Sequence, residues 1–188
     1  MSRYKASEIT LVGLFAALAS LPAIVIHIGA GAIVPPSIVP LVVMLAGGIL
    51  GPRLGSLSMF VYFLLGIIGF PVFEKPPFGG IAYVVQPTFG FLIGYVVAPY
   101  VVGTILRLKE NRSQLLYIVA MLAGTITLYV FGLPYLYFIL NFYLGSSVNI
   151  SQLFIIGVVP FIVIDSVKLL VAAFLAKAVT ERSGAVFR

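Results

Sequence analysis

Apolar runs long enough to cross a bilayer recur along the whole chain, at Glu8–Ile28, Ile38–Leu50, Arg53–Phe70, Thr88–Leu106, Ser113–Leu133 and Pro160–Thr180. A spanning helix needs roughly 20 mainly apolar residues, and only the second run falls clearly short. A Pro-rich lead-in, Val34-Pro35-Pro36-Ser37, precedes it. Charge is too sparse to coat a soluble body: 9% of the 188 residues are Asp, Glu, Lys or Arg, against about a quarter in soluble domains. The expectation is therefore a single all-α domain over residues 1–188, a polytopic membrane protein with six transmembrane helices. The first run is too long for a signal-peptide core and lacks a clean cleavage site, so it counts as structure.

Six spans put both termini on one side, and charge chooses which. With the N-terminus inside, the cytoplasmic ends carry Arg3, Lys5, Arg53, Arg107, Lys109, Arg112, Lys177, Arg182 and Arg188, while the outer loops carry Lys75. Lys and Arg concentrate on the cytoplasmic side of membrane proteins, so both ends are expected in the cytoplasm, at the plasma membrane of a prokaryote. The formal charge of +6 does not point to nucleic acid, because the basic residues stand singly at the ends of runs and form no stripe. The chain has no cysteine, which excludes disulfide frameworks and thiolate metal sites.

The outer loops are then Gly29–Ser37, Pro71–Pro87 and Gly145–Leu153, against tight cytoplasmic connections at Gly51-Pro52 and Arg107–Arg112. Long loops are usually functional or disordered, and the aromatics and prolines of the middle one argue against disorder. The stretch Pro134–Leu144 either extends helix five past a kink or dips into the membrane as a separate short helix. Glycines four apart (Gly47, Gly51, Gly55; Gly90, Gly94) let helix backbones approach closely, with packing inside the chain favoured over a dimer interface. In helix one, Gly13, Ala16, Ala17, Ser20 and the pair Ala19-x-x-x-Ala23 make a smooth surface.

Two charged residues lie well inside an apolar span, Asp165 and Lys168. Each would cost about 2.5–3.5 kcal/mol at mid-bilayer, so such residues face a cavity or a partner. Spaced i,i+3, they share a helix face; they form either a self-neutralising ion pair or, the favoured reading, the polar wall of a substrate pocket. A second cluster is Tyr83, Gln86 and Thr88 around Pro87, with Phe73 and Phe78 nearby; Gln and Thr there either cap the next helix or meet a ligand. His27, Tyr137, Asn141 and Tyr143 read as interfacial residues. No G-x-x-x-x-G-K-[ST] loop, H-E-x-x-H or G-x-S-x-G is present, and one His leaves little scope for a metal site. The chain reads as a binder with no enzymatic activity of its own.

The stretch Gly48-Ile-Leu-Gly51-Pro-Arg-Leu-Gly55-Ser-Leu-Ser58, followed by Tyr62, Gly66 and Gly69-Phe-Pro71-Val-Phe73, resembles the signature of the BioY family. The likeness continues through Pro87-Thr-Phe-Gly90-Phe91 with Gly94, and through Gly157-Val-Val-Pro160-Phe161 with Asp165 and Lys168. BioY proteins are the biotin-specific S components of energy-coupling-factor (ECF) importers. The resemblance implies a six-helix S-component fold with substrate near the outer face, beneath the first and third outer loops. It also implies partners: a transmembrane coupling protein (the T component) and two cytoplasmic ATPases that hydrolyse ATP. Docking through small residues of helix one would fall on Ala19 and Ala23, or on Ala16 and Ser20. Where the family often has Val-Pro-Ile-Thr-Leu-Gln-Thr, this chain has Val34-Pro35-Pro36-Ser37-Ile38-Val39-Pro40; where it has Gly-Pro-Thr-Gly-Gly, this chain has Gln86-Pro87-Thr88-Phe89-Gly90.

Biotin offers two ureido N–H donors, an apolar bicycle and a carboxylate. A carboxylate accepts N–H donors and an ammonium attracts a carboxylate. Asp165 is thus expected to read the ureido ring and Lys168 the carboxylate, with Phe73 and Phe78 walling the middle and Thr88, Tyr83 and Gln86 serving a second pole. The competing readings are an S component for lipoate or a related carboxylic acid, and a stand-alone ion-coupled carrier.

Overall fold

The computed structural model describes residues 5–28, 37–109 and 112–182, and every regular element among them is helical. In chain order these are α1 (Ala6–Ile28), α2 (Val39–Leu45) running into a wide turn at Ala46–Leu50, α3 (Gly51–Ile68), a short 3-10 turn (Ile81–Val85), α4 (Phe89–Arg107), α5 (Gln114–Phe138) continued by a wide turn at Ile139–Tyr143, α6 (Ile150–Gly157) and α7 (Ile162–Arg182). Large apolar side chains such as Leu14, Leu18, Val130, Phe131, Val163 and Phe174 point outward. An all-round apolar exterior has lipid, not water, as its solvent.

The short second span is explained at Gly51. Residues 39–68 form one unbroken apolar stretch of 30 residues, but Gly51 adopts φ +80°, a conformation open to glycine and costly for other residues. The chain turns there, and α3 packs back against the turn before it. A Cβ on Gly55 would lie 2.7 Å from the Ala46 carbonyl oxygen, which a straight helix nine residues long could never bring about. The connection is clamped from the side, because a Cβ on Gly103 of α4 would meet Pro52 N at 2.3 Å. Among the described residues, four segments are long and apolar enough to cross a membrane singly, and α6 with α7, bent by 53°, forms a fifth. The fold-back at Gly51 divides one of these, giving six passes.

The glycine series does pack inside the chain. A Cβ on Gly90 would fall 2.3 Å from Tyr135 Cβ, and one on Gly94 would fall 3.0 Å from Leu128 Cα, so α4 and α5 run backbone to backbone. Gly47 likewise sits on Pro99 of α4. Pro134 does not end helix five: α5 passes through it and reaches Tyr143 as a 30-residue span, consistent with the tolerance of proline in membrane helices.

Two expectations need correction. The stretch 145–153 is only partly a loop, because α6 begins at Ile150. Asn149 caps it by accepting from Gln152 N at 2.9 Å while the Gln152 side chain accepts from Asn149 N at 3.0 Å, a reciprocal pairing of orphan donors. Of the smooth surface of helix one, the four residues expected to dock a partner face inward. Ala16, Ala19, Ser20 and Ala23 are 2%, 0%, 6% and 0% exposed, and the Ser20 hydroxyl donates to the Ala16 carbonyl at 3.0 Å. These small side chains let α1 close on α3 and α2, so a docking surface on them is already occupied by the chain itself. The outward face of α1 carries Thr10, Gly13 and Ala17 instead.

Candidate functional site

The last pass breaks at residues 158–161, where Pro160 brings no N–H to a helical ladder, and α7 restarts at Ile162. Asp165 falls in the first turn of α7, where the helix dipole favours a carboxylate. Lys168, one turn on, donates from Nζ to Asp165 Oδ1 at 2.9 Å, with the two side chains only 15% and 18% exposed. From α5, Tyr129 donates its hydroxyl to Asp165 Oδ2 at 2.6 Å, and its ring stands edge-on to Phe91 of α4, centroids 6.0 Å apart. An ionised carboxylate offers about four acceptor positions; these two hydrogen bonds leave the others open. A cavity of about 10 Å³, room for roughly one water, abuts the pair, lined by Pro40, Met44, Thr125, Leu128 and Leu169.

At the same end of the bundle the 71–87 loop folds down as an ordered lid. Phe73 is fully buried, and Gly66 makes the room, since a Cβ there would lie 2.0 Å from Phe73 Cζ. The Phe73 ring meets Tyr62 edge-on at 5.7 Å and Tyr83 at 4.4 Å. Backbone bonds pin the loop: Gly80 N donates to the Gly66 carbonyl at 2.7 Å and Phe73 N to the Phe78 carbonyl at 2.8 Å. Side chains do the same: Tyr62 Oη donates to the Val72 carbonyl at 3.2 Å, and Tyr135 of α5 donates its hydroxyl to the Val84 carbonyl.

Next to Phe73, Glu74 turns into the fold. Burial pushes its carboxyl above the ordinary carboxylate range, opposed by the nearby Ser37 hydroxyl and by the charges of Lys168 and Lys75. Tyr95 of α4 stands among Glu74, Ser37, Tyr83 and Asp165. Burial likewise raises the Tyr83 phenol, with Thr88 and Glu74 beside it. Three carboxyl and ammonium groups from two elements thus face one another across a cluster of hydroxyls.

The expected residues divide into three groups. Asp165 and Lys168 form the expected ion pair and border the small cavity. Tyr83 and Thr88 reach the polar cluster, where the Thr88 side chain stands beside the Tyr83 phenol. Gln86, Phe73 and Phe78 serve the lid. Gln86 Nε2 donates to the Pro76 carbonyl at 2.9 Å, Phe73 is its plug, and Phe78, at φ +67°, supplies the carbonyl that Phe73 N bonds. His27's side chain and residues 29–36, which make up most of the loop expected to be the first outer one, lie outside the described residues. Asn141 donates to the Tyr137 and Val148 carbonyls at 3.1 and 3.0 Å, stapling the end of α5. Four site residues were absent from the sequence reading: Tyr129, Glu74, Tyr95 and Ser37. Glu74 carried a signal, being one of five acidic residues in the chain and lying in the loop already singled out.

Residues 1–185 match the family described as BioY. A "Probable biotin transporter BioY" of Lysinibacillus sphaericus is 38% identical over 96% of this chain and 88% of that protein. Another "Probable biotin transporter BioY", from Pyrococcus horikoshii, is 37% identical over 92% of this chain and 96% of its own. The "Biotin transporter BioY" of Rhizobium etli is 33% identical, covering 92% of each chain. Among solved structures, a crystal structure of the S-component for biotin from an ECF-type ABC transporter superposes with a TM-score of 0.72 over 95% of each chain, at 22% identity. That likeness shows that the two chains share a fold.

Proposed function

The chain belongs to the BioY family, and from that premise we propose that it is the biotin-binding S component of an ECF-type importer, taking biotin at the outer face of a prokaryotic plasma membrane. The observation that carries the reading is the Tyr129–Asp165–Lys168 constellation, an ion pair at the cavity end of α7. A charged pair is expensive inside a membrane protein unless it serves a pathway or a site. Here it borders a cavity and keeps acceptor and donor capacity in reserve. Asp165 accepts from the ureido N–H groups, and Lys168, which has three donors, keeps one on Asp165 and turns the others to the carboxylate. Tyr83 and Thr88 belong to the neighbouring polar cluster beneath the 71–87 loop, which Phe73 and Phe78 hold in place. Apolar walls with a few converging polar groups are the usual form of a small-ligand site.

Energy for release comes from partner ATPases through a T component. The outward ridge of α1 at Thr10, Gly13 and Ala17 is the face open to that component, because the Ala16–Ala23 face is spent on internal packing. Equilibrium titration of the purified chain with biotin, lipoate and desthiobiotin tests the reading. One-to-one binding of biotin and desthiobiotin, with lipoate at least 100-fold weaker, supports it. Preference for lipoate reassigns the substrate, and uptake by this chain alone that a protonophore abolishes contradicts the S-component role.

A further inference from the structure

Away from the substrate site, α1 and α3 do not close along their whole length. Near the starts of both helices they leave a half-open groove of about 200 Å³, lined by Glu8, Ile9, Val12, Leu54, Leu57 and Val61. The turn that leads into α3 fixes which end of the bundle this is. Gly48 of that turn packs so tightly on α7 that a Cβ there would lie 2.8 Å from Ala176 Cβ, about three helical turns beyond Asp165. The groove therefore lies at the end remote from the Asp165–Lys168 pair, the end expected in the cytoplasm. Five of its six lining residues are aliphatic. Apolar cavities stay dry, so what suits this one is hydrocarbon.

The sixth residue, Glu8, is a half-buried carboxyl. Its Oε2 accepts from Lys5 N at 2.8 Å, which ties down the start of α1 and leaves its other acceptor positions open. Among the described residues no Lys or Arg side chain forms an ion pair with it, and a carboxylate against apolar walls is costly without a partner. Two cations stand close by in the fold. Lys5 precedes Glu8 by one turn, and Arg53 shares a face of α3 with Leu57 and Val61, four and eight residues on. Both are exposed, and neither pairs with a carboxylate of the described residues. An apolar groove thus ends in one open carboxylate and two open cations. A headgroup with a primary ammonium and a phosphate diester complements that set: ammonium N–H groups for Glu8, phosphate oxygens for Arg53 and Lys5. A purely anionic headgroup would meet Glu8 as a like charge, and a quaternary ammonium has no N–H to donate. We propose that the α1–α3 groove binds one aminophospholipid of the phosphatidylethanolamine class, an acyl chain lying along Ile9, Val12, Leu57 and Val61 and the ammonium resting on Glu8.

The inference is independent of the biotin reading. Native mass spectrometry of the full chain, delipidated in detergent and titrated with phosphatidylethanolamine, phosphatidylcholine or phosphatidylglycerol, counts and ranks the bound lipid. One phosphatidylethanolamine should be held at least about tenfold more tightly than either of the others, the worth of a hydrogen bond to a charged group. Glu8→Gln, which keeps an acceptor for Lys5 N, should lose most of the preference over phosphatidylcholine. Val12→Phe, which fills the groove, should expel the lipid. The chain has no cysteine, so Leu57→Cys can be labelled alone, and phosphatidylethanolamine should slow its reaction with a thiol reagent where phosphatidylcholine does not. Equal binding of the three lipids, a preference for phosphatidylglycerol, or a phosphatidylethanolamine preference undiminished in Glu8→Gln each overturns the inference. Protection of Leu57→Cys that appears only when the coupling protein is added marks the groove as a protein-docking face and overturns it too. If Glu8→Gln does not fold, the ranking of the three lipids on the unaltered chain still decides.

Discussion

Removing one member of the Asp165–Lys168 pair should cost far more than removing both. The side chains are 15% and 18% exposed, too buried for water to replace a lost partner. Breaking a buried pair from one side costs about 3–5 kcal/mol, whereas exchanging the whole pair for neutral groups of similar volume is close to neutral. Lys168→Met leaves Asp165 with only the Tyr129 hydrogen bond; its carboxyl can escape by taking a proton, which places the loss near the lower bound, about 3 kcal/mol. Asp165→Asn strands an ammonium that cannot become an acceptor. At about 2–4 °C per kcal/mol for a chain of this size, each single variant should melt roughly 6–20 °C below the parent. Asp165→Asn/Lys168→Met should recover to within a few degrees, a coupling of at least about 2 kcal/mol. The chain has no tryptophan, so far-UV circular dichroism of the detergent-solubilised protein is the assay. All three variants should fail to bind biotin. A double variant that melts at the sum of the two single losses would show that the residues do not act as a pair, and the reading of the site would fail with it.

Tyr129→Phe removes the second donor to Asp165 and should weaken biotin binding about tenfold while costing about 1.5–3 kcal/mol of stability, the range for a hydrogen bond to a charged group; thermal melts and titration check both. Gly66→Ala would drive a methyl into Phe73, so the lid should lift: limited proteolysis between Pro71 and Pro87 should accelerate, with about 1–3 kcal/mol of destabilisation. Gln86→Ala breaks the bond to Pro76 and should cost about 1 kcal/mol with under threefold change in Kd; a loss of affinity above tenfold would make Gln86 a ligand contact instead.

Much of the architecture was legible because a bilayer demands uninterrupted apolar length, which a sequence displays directly. The spans, the turn at Gly51-Pro52 and the close approach at Gly90 and Gly94 all follow from local composition. Contacts between distant segments do not. Tyr129 lies in an apolar run where aromatic residues are unremarkable, and only the folded chain brings its hydroxyl 36 positions on to Asp165. Glu74 stood out only as one of five acidic residues; that it turns inward was not legible, since an acid beside a lysine in a loop normally faces water. The small residues of α1 pointed to close packing correctly, yet spacing says nothing about whether the other surface belongs to this chain or to a partner. The stretch 145–153, read as a loop, hid a helix start in Asn149 and Gln152, a capping pair that becomes informative only when the residues after it are read as helical.

The most direct test of the account is an equilibrium titration of the purified chain with biotin, run side by side with Lys168→Met. The account predicts saturable one-to-one binding by the parent chain and a loss of at least 100-fold in the variant. No saturable binding of biotin by the parent, or undiminished binding by Lys168→Met, would contradict it.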